Sequence, residues 1–172
     1  YGMQLAHFGI AVMLIGVALT SYFSSERSVL LDIGGNVELG GYEFDLVNSR
    51  RIEGPNYFGE QVEMTVSRNG EVFRTLYPER RLYVASGTPS TEMAIDAGFF
   101  RDLFVTLGEQ RESGAWTMTI YVKPFVRWIW LGAIFMAFGA CVAAGDKRYR
   151  RLRVKKTQTA GSQSGEAMQA AT

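Results

Sequence analysis

The sequence predicts a membrane protein in which two transmembrane α-helices flank a small all-β domain. Three observations support this fold class: an uncharged apolar run at residues 8–23, a second at residues 128–145, and short strand-like segments between them. With its flanking residues, each run is long enough to cross a bilayer. We divide the 172 residues into a first helix (1–23), a β-rich domain (24–124), a second helix (125–145) and a basic segment with a polar tail (146–172).

The first helix carries the one histidine of the chain, His7, in an otherwise uncharged span. At 1.5 Å per residue it lies roughly 22 Å from the outer end of the helix, in the inner third of the membrane. An imidazole is costly to bury in lipid without a partner, so it is a functional candidate by default. Three uses remain open: a hydrogen bond to a neighbouring helix, ligation of a haem or another metal, and proton relay.

The second apolar run is followed at once by residues 146–156, which contain seven basic residues and one acidic residue. Lys and Arg accumulate on the cytoplasmic side of membrane helices. The second helix is therefore expected to end in the cytoplasm, and residues 24–124 are expected on the outer side.

The tail, residues 157–172, is small, polar and free of aromatic residues, so we predict that it is disordered. The chain begins with Tyr1 rather than Met, which suggests a piece of a longer protein.

Small residues line both predicted helices, and such residues let membrane helices approach closely. At the helical period, one face of the first helix holds Gly2, Gly9, Gly16 and Thr20, and the opposite face holds Met3, His7, Ala11, Leu14 and Ala18. The second helix has small residues at spacing four: Ala133, Ala137, Cys141 and Gly145. We therefore predict a fragment of a larger multi-helix bundle. Ala11, one turn from His7, leaves room for a flat and bulky group, and the lone Cys141 is interpreted as a packing residue.

The segment between the helices is predicted to be a small barrel or sandwich. Seven strand-like runs are bounded by glycine or proline: residues 29–33, 42–48, 61–68, 71–77, 81–85, 104–109 and 116–122. Val62, Met64 and Val66 alternate with polar neighbours, which is typical of a half-buried strand. Asn69-Gly70 lies between two runs and favours the positive φ angles of a type I′ hairpin turn.

The residues of this domain exclude several kinds of chemistry. It has no His and no Cys, which excludes serine- or cysteine-type triads and argues against a zinc site. Its charge between residues 24 and 123 is −5, which argues against nucleic-acid binding. We interpret the acidic residues as solvated strand faces: Glu43, Asp45, Glu60 and Glu63. The pairs Arg50-Arg51 and Arg80-Arg81 could grip a carboxylate, but structural pairing with Glu53 or Glu79 is favoured.

Several segments together resemble the C-terminal region of the CcmF family, the haem lyases of cytochrome c maturation system I. The first is the histidine-bearing helix start, with Gly2-Met3 and Ala6-His7-Phe8-Gly9. The others follow in family order: GPNY at residues 54–57, LYPERRLY at 76–83, DLFVTLGE at 102–109 and KPFVRWIWLG at 123–132. The last segment is the most specific. The resemblance covers residues 1–151.

This resemblance implies a bacterial inner-membrane protein that helps to join haem vinyl groups to the CxxCH thiols of apocytochrome c. It implies that His7 is an axial ligand to the iron of a b-type haem, with the second ligand outside this chain. That haem is expected to reduce the incoming haem iron, drawing on quinol. The implied partners are the haem chaperone CcmE, CcmH, CcmI where present, and apocytochrome c, with residues 24–124 in the periplasm. Tyr1 and Gln4 are the candidate hydrogen-bond partners of the imidazole.

The chain departs from the family pattern by what it lacks. The tryptophan-rich periplasmic motif, the two periplasmic histidines and the other membrane histidine are not in this sequence. It therefore offers no catalytic residue of its own and is not expected to suffice as a lyase. A paralogue that serves nitrite reductase maturation shares much of this region. A rival reading is a non-catalytic scaffold whose β-domain docks apocytochrome or assembly partners, with His7 structural. Arg80 and Arg127 are minor candidates for contact with haem propionates.

Overall fold

The computed structural model describes residues 1–145. Along the chain, one helix precedes ten strands and a second helix follows them. The predicted basic segment and tail lie outside the described residues. The elements are α1 (Gly2–Phe23), β1 (Ser25–Leu31), β2 (Asn36–Leu39), β3 (Tyr42–Glu53), β4 (Tyr57–Arg68), β5 (Glu71–Leu76), β6 (Glu79–Tyr83), β7 (Pro89–Glu92), β8 (Ala94–Ala97), β9 (Arg101–Gln110), β10 (Trp116–Pro124) and α2 (Val126–Gly145). Within these residues, α1 and α2 are both long and apolar enough to cross a membrane.

The strands form two antiparallel sheets that pack face to face. One has four strands in the order β1-β10-β9-β8; the other has six, in the order β2-β3-β4-β6-β7 with β5 also paired to β4. Alternate side chains of both sheets meet in one apolar core, in which Phe44, Met64 and Trp116 are almost completely buried. The predicted fold class, two helices flanking a small all-β domain, is confirmed as a β-sandwich.

The structure contains three strands that the sequence pattern did not predict: β2, β7 and β8. Each has four residues, too few for a period-two pattern to emerge. All three lie at sheet edges, where polar residues and proline are tolerated because one side needs no partner. The prediction of seven strands therefore missed these three edge strands.

The hairpin prediction at Asn69-Gly70 is confirmed, because φ is 54° at Asn69 and 82° at Gly70. The predicted end of β3 is wrong. A bulge between Leu46 and Asn48 lets the strand continue beyond residue 48 and pair with β4 as far as Glu53. A β-bulge inserts one residue and bends the strand. The alternation of buried and exposed residues is therefore interrupted at this point, and the sequence pattern does not reveal the rest of the strand.

Packing divides the described residues into two units: residues 1–13 with 130–145, and residues 14–129. In the first unit, Gly9 of α1 lies against α2, where an added Cβ would be 2.7 Å from the Gly132 carbonyl oxygen. A Cβ on Gly2 would be 2.6 Å from the Ala143 nitrogen. The predicted glycine face of α1 is thus confirmed as a close helix–helix contact.

On α2, however, the stripe predicted at spacing four is not the face that meets α1. Cys141 of this stripe is exposed, and nothing lies within 4 Å of a Cβ added to Gly145. The contact is made through Gly132 and Gly139 instead, seven residues apart. A spacing of seven is two helical turns, so both glycines return to the same face.

Candidate functional site

His7 lies on the side of α1 that faces away from the glycine contact. Its side chain is exposed, as are Met3 and Leu14 on the same face, which are 61% and 62% accessible. The glycines on the opposite face are buried. The division into a packed glycine face and an open histidine face follows from the helical period. The glycine face of α1 is therefore packed against α2, and the face that carries His7 is exposed.

A hydrogen bond within the helix orients the imidazole of His7. His7 Nδ1 lies 2.7 Å from the carbonyl oxygen of Met3. Because a carbonyl can only accept, Nδ1 carries a proton and donates it, so in a neutral ring the lone pair is on Nε2. A neutral imidazole whose other nitrogen donates to a carbonyl is the usual form of a metal-ligating histidine. The sequence offered Tyr1 and Gln4 only as nearby candidates; the structure places the Met3 carbonyl in that role.

The surroundings of His7 leave space for a large planar group. Ala11, the next residue on this face, is small and exposed, and the flexible Met3 lies one turn before. Within residues 1–145, no group of three or more His, Cys, Asp and Glu side chains is arranged to hold a metal ion. On this face, the imidazole of His7 is the side chain that could hold a haem iron, with a further ligand supplied from outside this chain.

The β-sandwich carries a second feature, an open groove of about 740 Å³ over β3, β4, β6 and β7. Phe58 and Leu82 face each other across β4 and β6, as do Glu60 and Arg80. Phe58 is 53% exposed although it shares one face of β4 with the buried Val62. The inner face of the six-stranded sheet thus continues beyond the core as an open surface of apolar and charged residues. The sequence pattern did not indicate this groove.

The arginines near the groove form a structural network. Arg50 Nε donates to Gln61 Oε1 at 2.7 Å, and Gln61 donates in turn to Glu79. Arg81 forms an ion pair with Glu79 at 2.7 Å. Its hydrogen bonds to Glu79 and Tyr83 hold the pKa of the Arg81 guanidinium above its ordinary value. The predicted pairing with Glu79 is confirmed for Arg81.

Two other predictions for charged residues differ in the structure. Arg80 contacts Glu109 of β9 at 2.8 Å rather than Glu53 or Glu79. The acidic residues expected on solvated strand faces are half-buried: Glu43, Asp45, Glu60 and Glu63. Asn36 donates a hydrogen bond of 2.6 Å to Glu43, and burial, together with the charge of Glu43, raises the pKa of the Asp45 carboxyl. The prediction of solvated strand faces therefore holds only in part, since each of these side chains is partly covered.

Comparison with known proteins agrees with this architecture. Residues 22–124 match a family model described as the CcmF C-terminal beta-sandwich. The chain belongs to the CcmF family. With its two apolar helices, it is an inner-membrane protein that carries the C-terminal β-sandwich of CcmF.

Relatives extend the similarity beyond the β-sandwich. The cytochrome c-type biogenesis protein CcmF of Pseudomonas aeruginosa is 51% identical over 150 residues, which is 87% of this chain and 23% of that protein. CcmF of Escherichia coli is 42% identical over 160 residues, 93% of this chain and 25% of that protein. NrfE of Haemophilus influenzae is 38% identical over 140 residues, 81% of this chain and 22% of that protein. The chain therefore spans about a quarter of the length of the curated relatives it matches.

A solved structure has the same fold. The cytochrome c haem lyase CcmF matches with a TM-score of 0.66 over 80% of this chain and 23% of that chain, at 21% sequence identity. At this identity the similarity shows the fold.

Proposed function

We propose that this chain forms the C-terminal part of a cytochrome c haem lyase. In this proposal, His7 supplies one axial ligand to a b-type haem held in the membrane, and the second ligand comes from a part of the protein outside this chain. The single observation that carries the proposal is the hydrogen bond from His7 Nδ1 to the Met3 carbonyl at 2.7 Å. It leaves Nε2 as the atom with the lone pair, on a helix face that is open.

The residues around His7 fit a haem. The imidazole is exposed, Ala11 beside it is small, and the glycines that fix α1 lie on the opposite face. The Met3 carbonyl orients the ring and increases the basicity of Nε2, since an acceptor at Nδ1–H adds electron density to the imidazole. A bound haem would supply a one-electron redox centre whose potential depends on its axial ligands. The contribution of this chain is to bind the iron at Nε2 and to hold the ring in place.

The orientation and partners belong to the same proposal. The basic residues 146–156 favour a cytoplasmic end for α2, which puts residues 24–124 in the periplasm. The names of the relatives support a role in cytochrome c biogenesis. Family resemblance supports attachment of haem to the CxxCH thiols of apocytochrome c, with CcmE, CcmH, and CcmI where present, as partners and quinol as the electron source.

The test is the visible spectrum of the purified full-length protein. His7→Gly removes the proposed ligand, so we expect the haem band to be lost or strongly reduced, and added imidazole to restore it by filling the vacated position. Gln4→Ala is the matched control, because Gln4 is a polar and exposed residue in the preceding turn. A haem band unchanged in amount and position in His7→Gly would contradict the ligand role.

The second candidate function is a scaffold in which the β-sandwich docks apocytochrome or assembly partners. The observation that favours it is the open groove, where Phe58 is 53% exposed between charged side chains. Phe58→Asp in the full-length protein should then reduce co-purification of the partners while the haem content stays unchanged. Ile33→Asp is the control, since Ile33 is 57% exposed and lies outside the groove. Equal co-purification of both variants would contradict the docking role.

A further inference from the structure

Two adjacent phenylalanines form the tip of the connection between β8 and β9. Phe99 is 54% exposed and Phe100 is 62% exposed. Their rings pack edge to face at a centroid distance of 5.0 Å. Large apolar side chains side by side at a loop tip are unusual in water, and such a patch indicates an interaction surface.

The backbone attaches this loop to the residue that precedes α2. The Phe125 N–H donates to the Phe100 carbonyl at 2.9 Å, and α2 begins at the next residue. The other side of the loop is closed by Gly98, whose N–H donates to the Arg101 carbonyl at 2.9 Å. Phe125 has a φ of 58°, an uncommon conformation for a residue with a side chain. The loop and the helix start therefore form one hydrogen-bonded structure rather than two independent segments.

Aromatic contacts place the loop at the depth of the first turn of α2. The Phe99 ring lies 6.1 Å from the Trp128 ring, and the Phe100 ring lies 6.3 Å from the Phe125 ring. The α2 helix has 20 residues, which at 1.5 Å per residue matches a hydrocarbon core of about 30 Å. A helix of this length that spans the core begins at the boundary between hydrocarbon and headgroups, and Trp128 is in its first turn. The two phenylalanines lie beside this first turn.

The charges beside the loop suit a headgroup layer. The acidic groups of the two flanking strands are covered, since the side chains of Asp96 and Asp102 are only 10% exposed. The exposed Glu71 lines the same hollow as the two phenylalanines, together with the basic Arg68 and Arg101. Asp96 is paired with Arg101, and Asp102 lies 3.9 Å from Arg127. The side chain of Arg127 is 51% exposed, so a cation faces outward at the start of α2. A guanidinium at this position complements lipid phosphates.

We propose that the Phe99-Phe100 loop inserts into the lipid interface on the sandwich side of the membrane. The occupant of the exposed aromatic surface is lipid: the acyl chains nearest to the headgroups contact both rings, and phosphates contact Arg127. The loop anchors the β8–β9 end of the sandwich to the bilayer at a third point, besides the two membrane helices. This role is independent of the ligand role of His7.

The test uses site-directed spin labelling of the full-length protein in lipid nanodiscs, with all native cysteines, including Cys141, replaced. A nitroxide is placed at Phe100→Cys and, in a second protein, at Ile33→Cys. Ile33 is the matched control because it is 57% exposed and follows β1, whose last residue pairs with the first residue of β10. The β10 strand then runs nine residues toward α2, so Ile33 lies about 30 Å from the membrane end of the strand.

The measured quantity is collisional accessibility to oxygen, which concentrates in lipid, relative to a water-soluble nickel chelate. We expect this ratio to be several-fold higher at residue 100 than at residue 33. A ratio at residue 100 equal to that at residue 33 would overturn the proposal, since the loop would be in water. A label at residue 100 that neither reagent reaches would also overturn it, because another protein segment would then cover the loop. Phe99→Cys repeats the measurement if Phe100→Cys does not accumulate.

Discussion

The contact between α1 and α2 predicts that Gly9→Ala separates the two helices. An added Cβ at Gly9 would lie 2.7 Å from both the Gly132 carbonyl oxygen and the Met136 nitrogen. Both are backbone atoms, so no side-chain rotation can relieve the clash. Ordinary contact needs about 3.4 Å, so the helices must move apart by about 0.7 Å at this point.

The free-energy cost follows from this separation. Overpacking by one methyl group typically costs roughly 1 to 3 kcal/mol. In lipid the effect is direct, because close packing rather than hydrophobic burial holds membrane helices together. A loss of 1 to 2 kcal/mol changes the ratio of folded to unfolded protein by roughly 5- to 30-fold.

The assay is unfolding of the full-length protein by increasing the mole fraction of a denaturing detergent in mixed micelles. Gly9→Ala should unfold at a lower mole fraction than the unmodified protein. Gly145→Ala is the matched control, because nothing lies within 4 Å of a Cβ at that helical glycine. If Gly9→Ala and Gly145→Ala unfold at the same point, the close contact between the helices is refuted.

Three further predictions concern the β-sandwich and are checked by thermal unfolding of the full-length protein. Asp96→Asn should destabilise the sandwich by roughly 3 kcal/mol, because it leaves the partly buried guanidinium of Arg101 without its ion-pair partner; an unchanged midpoint would contradict this. Gly70→Ala should cost roughly 1 to 2 kcal/mol at a φ of 82°, although the space around it is open; a cost no greater than that of Gly145→Ala would count against backbone strain. Asp45→Asn should stabilise the sandwich at pH 7. The pKa of Asp45 is raised in the folded state, so folding favours the protonated carboxyl. This contribution to stability is complete below pH 3.8, the ordinary pKa, and is lost as the pH rises through the pKa of the folded state. The advantage of Asp45→Asn should therefore grow over that pH range, and a constant difference would contradict the shift.

The sequence was sufficient to predict features that depend on local pattern. Both helices were predicted because uncharged runs of this length have few alternatives, and the Asn69-Gly70 turn because few other pairs tolerate positive φ at both positions. The glycine face of α1 followed from the helical period alone. These predictions need no knowledge of which elements meet.

The features that the sequence did not predict depend on tertiary contacts. The edge strands β2, β7 and β8 are too short to show a period and exist because a neighbouring strand pairs with them. The depth of Phe99 and Phe100 depends on a backbone bond to Phe125, twenty-five residues further along the chain. His7 was a candidate from sequence, but its hydrogen-bond partner was not predicted. Every residue has a backbone carbonyl, so residue types do not indicate which carbonyl accepts from the imidazole.

Exchange of the proposed axial ligand tests the central claim most directly. His7→Met in the full-length protein replaces an imidazole nitrogen by a thioether sulfur, and a methionine ligand raises the reduction potential of a haem. We therefore predict that the membrane haem of His7→Met has a higher midpoint potential and a shifted visible spectrum, whereas Gln4→Ala retains the original values. A haem in His7→Met with the same potential and the same spectrum as in the unmodified protein would contradict the account.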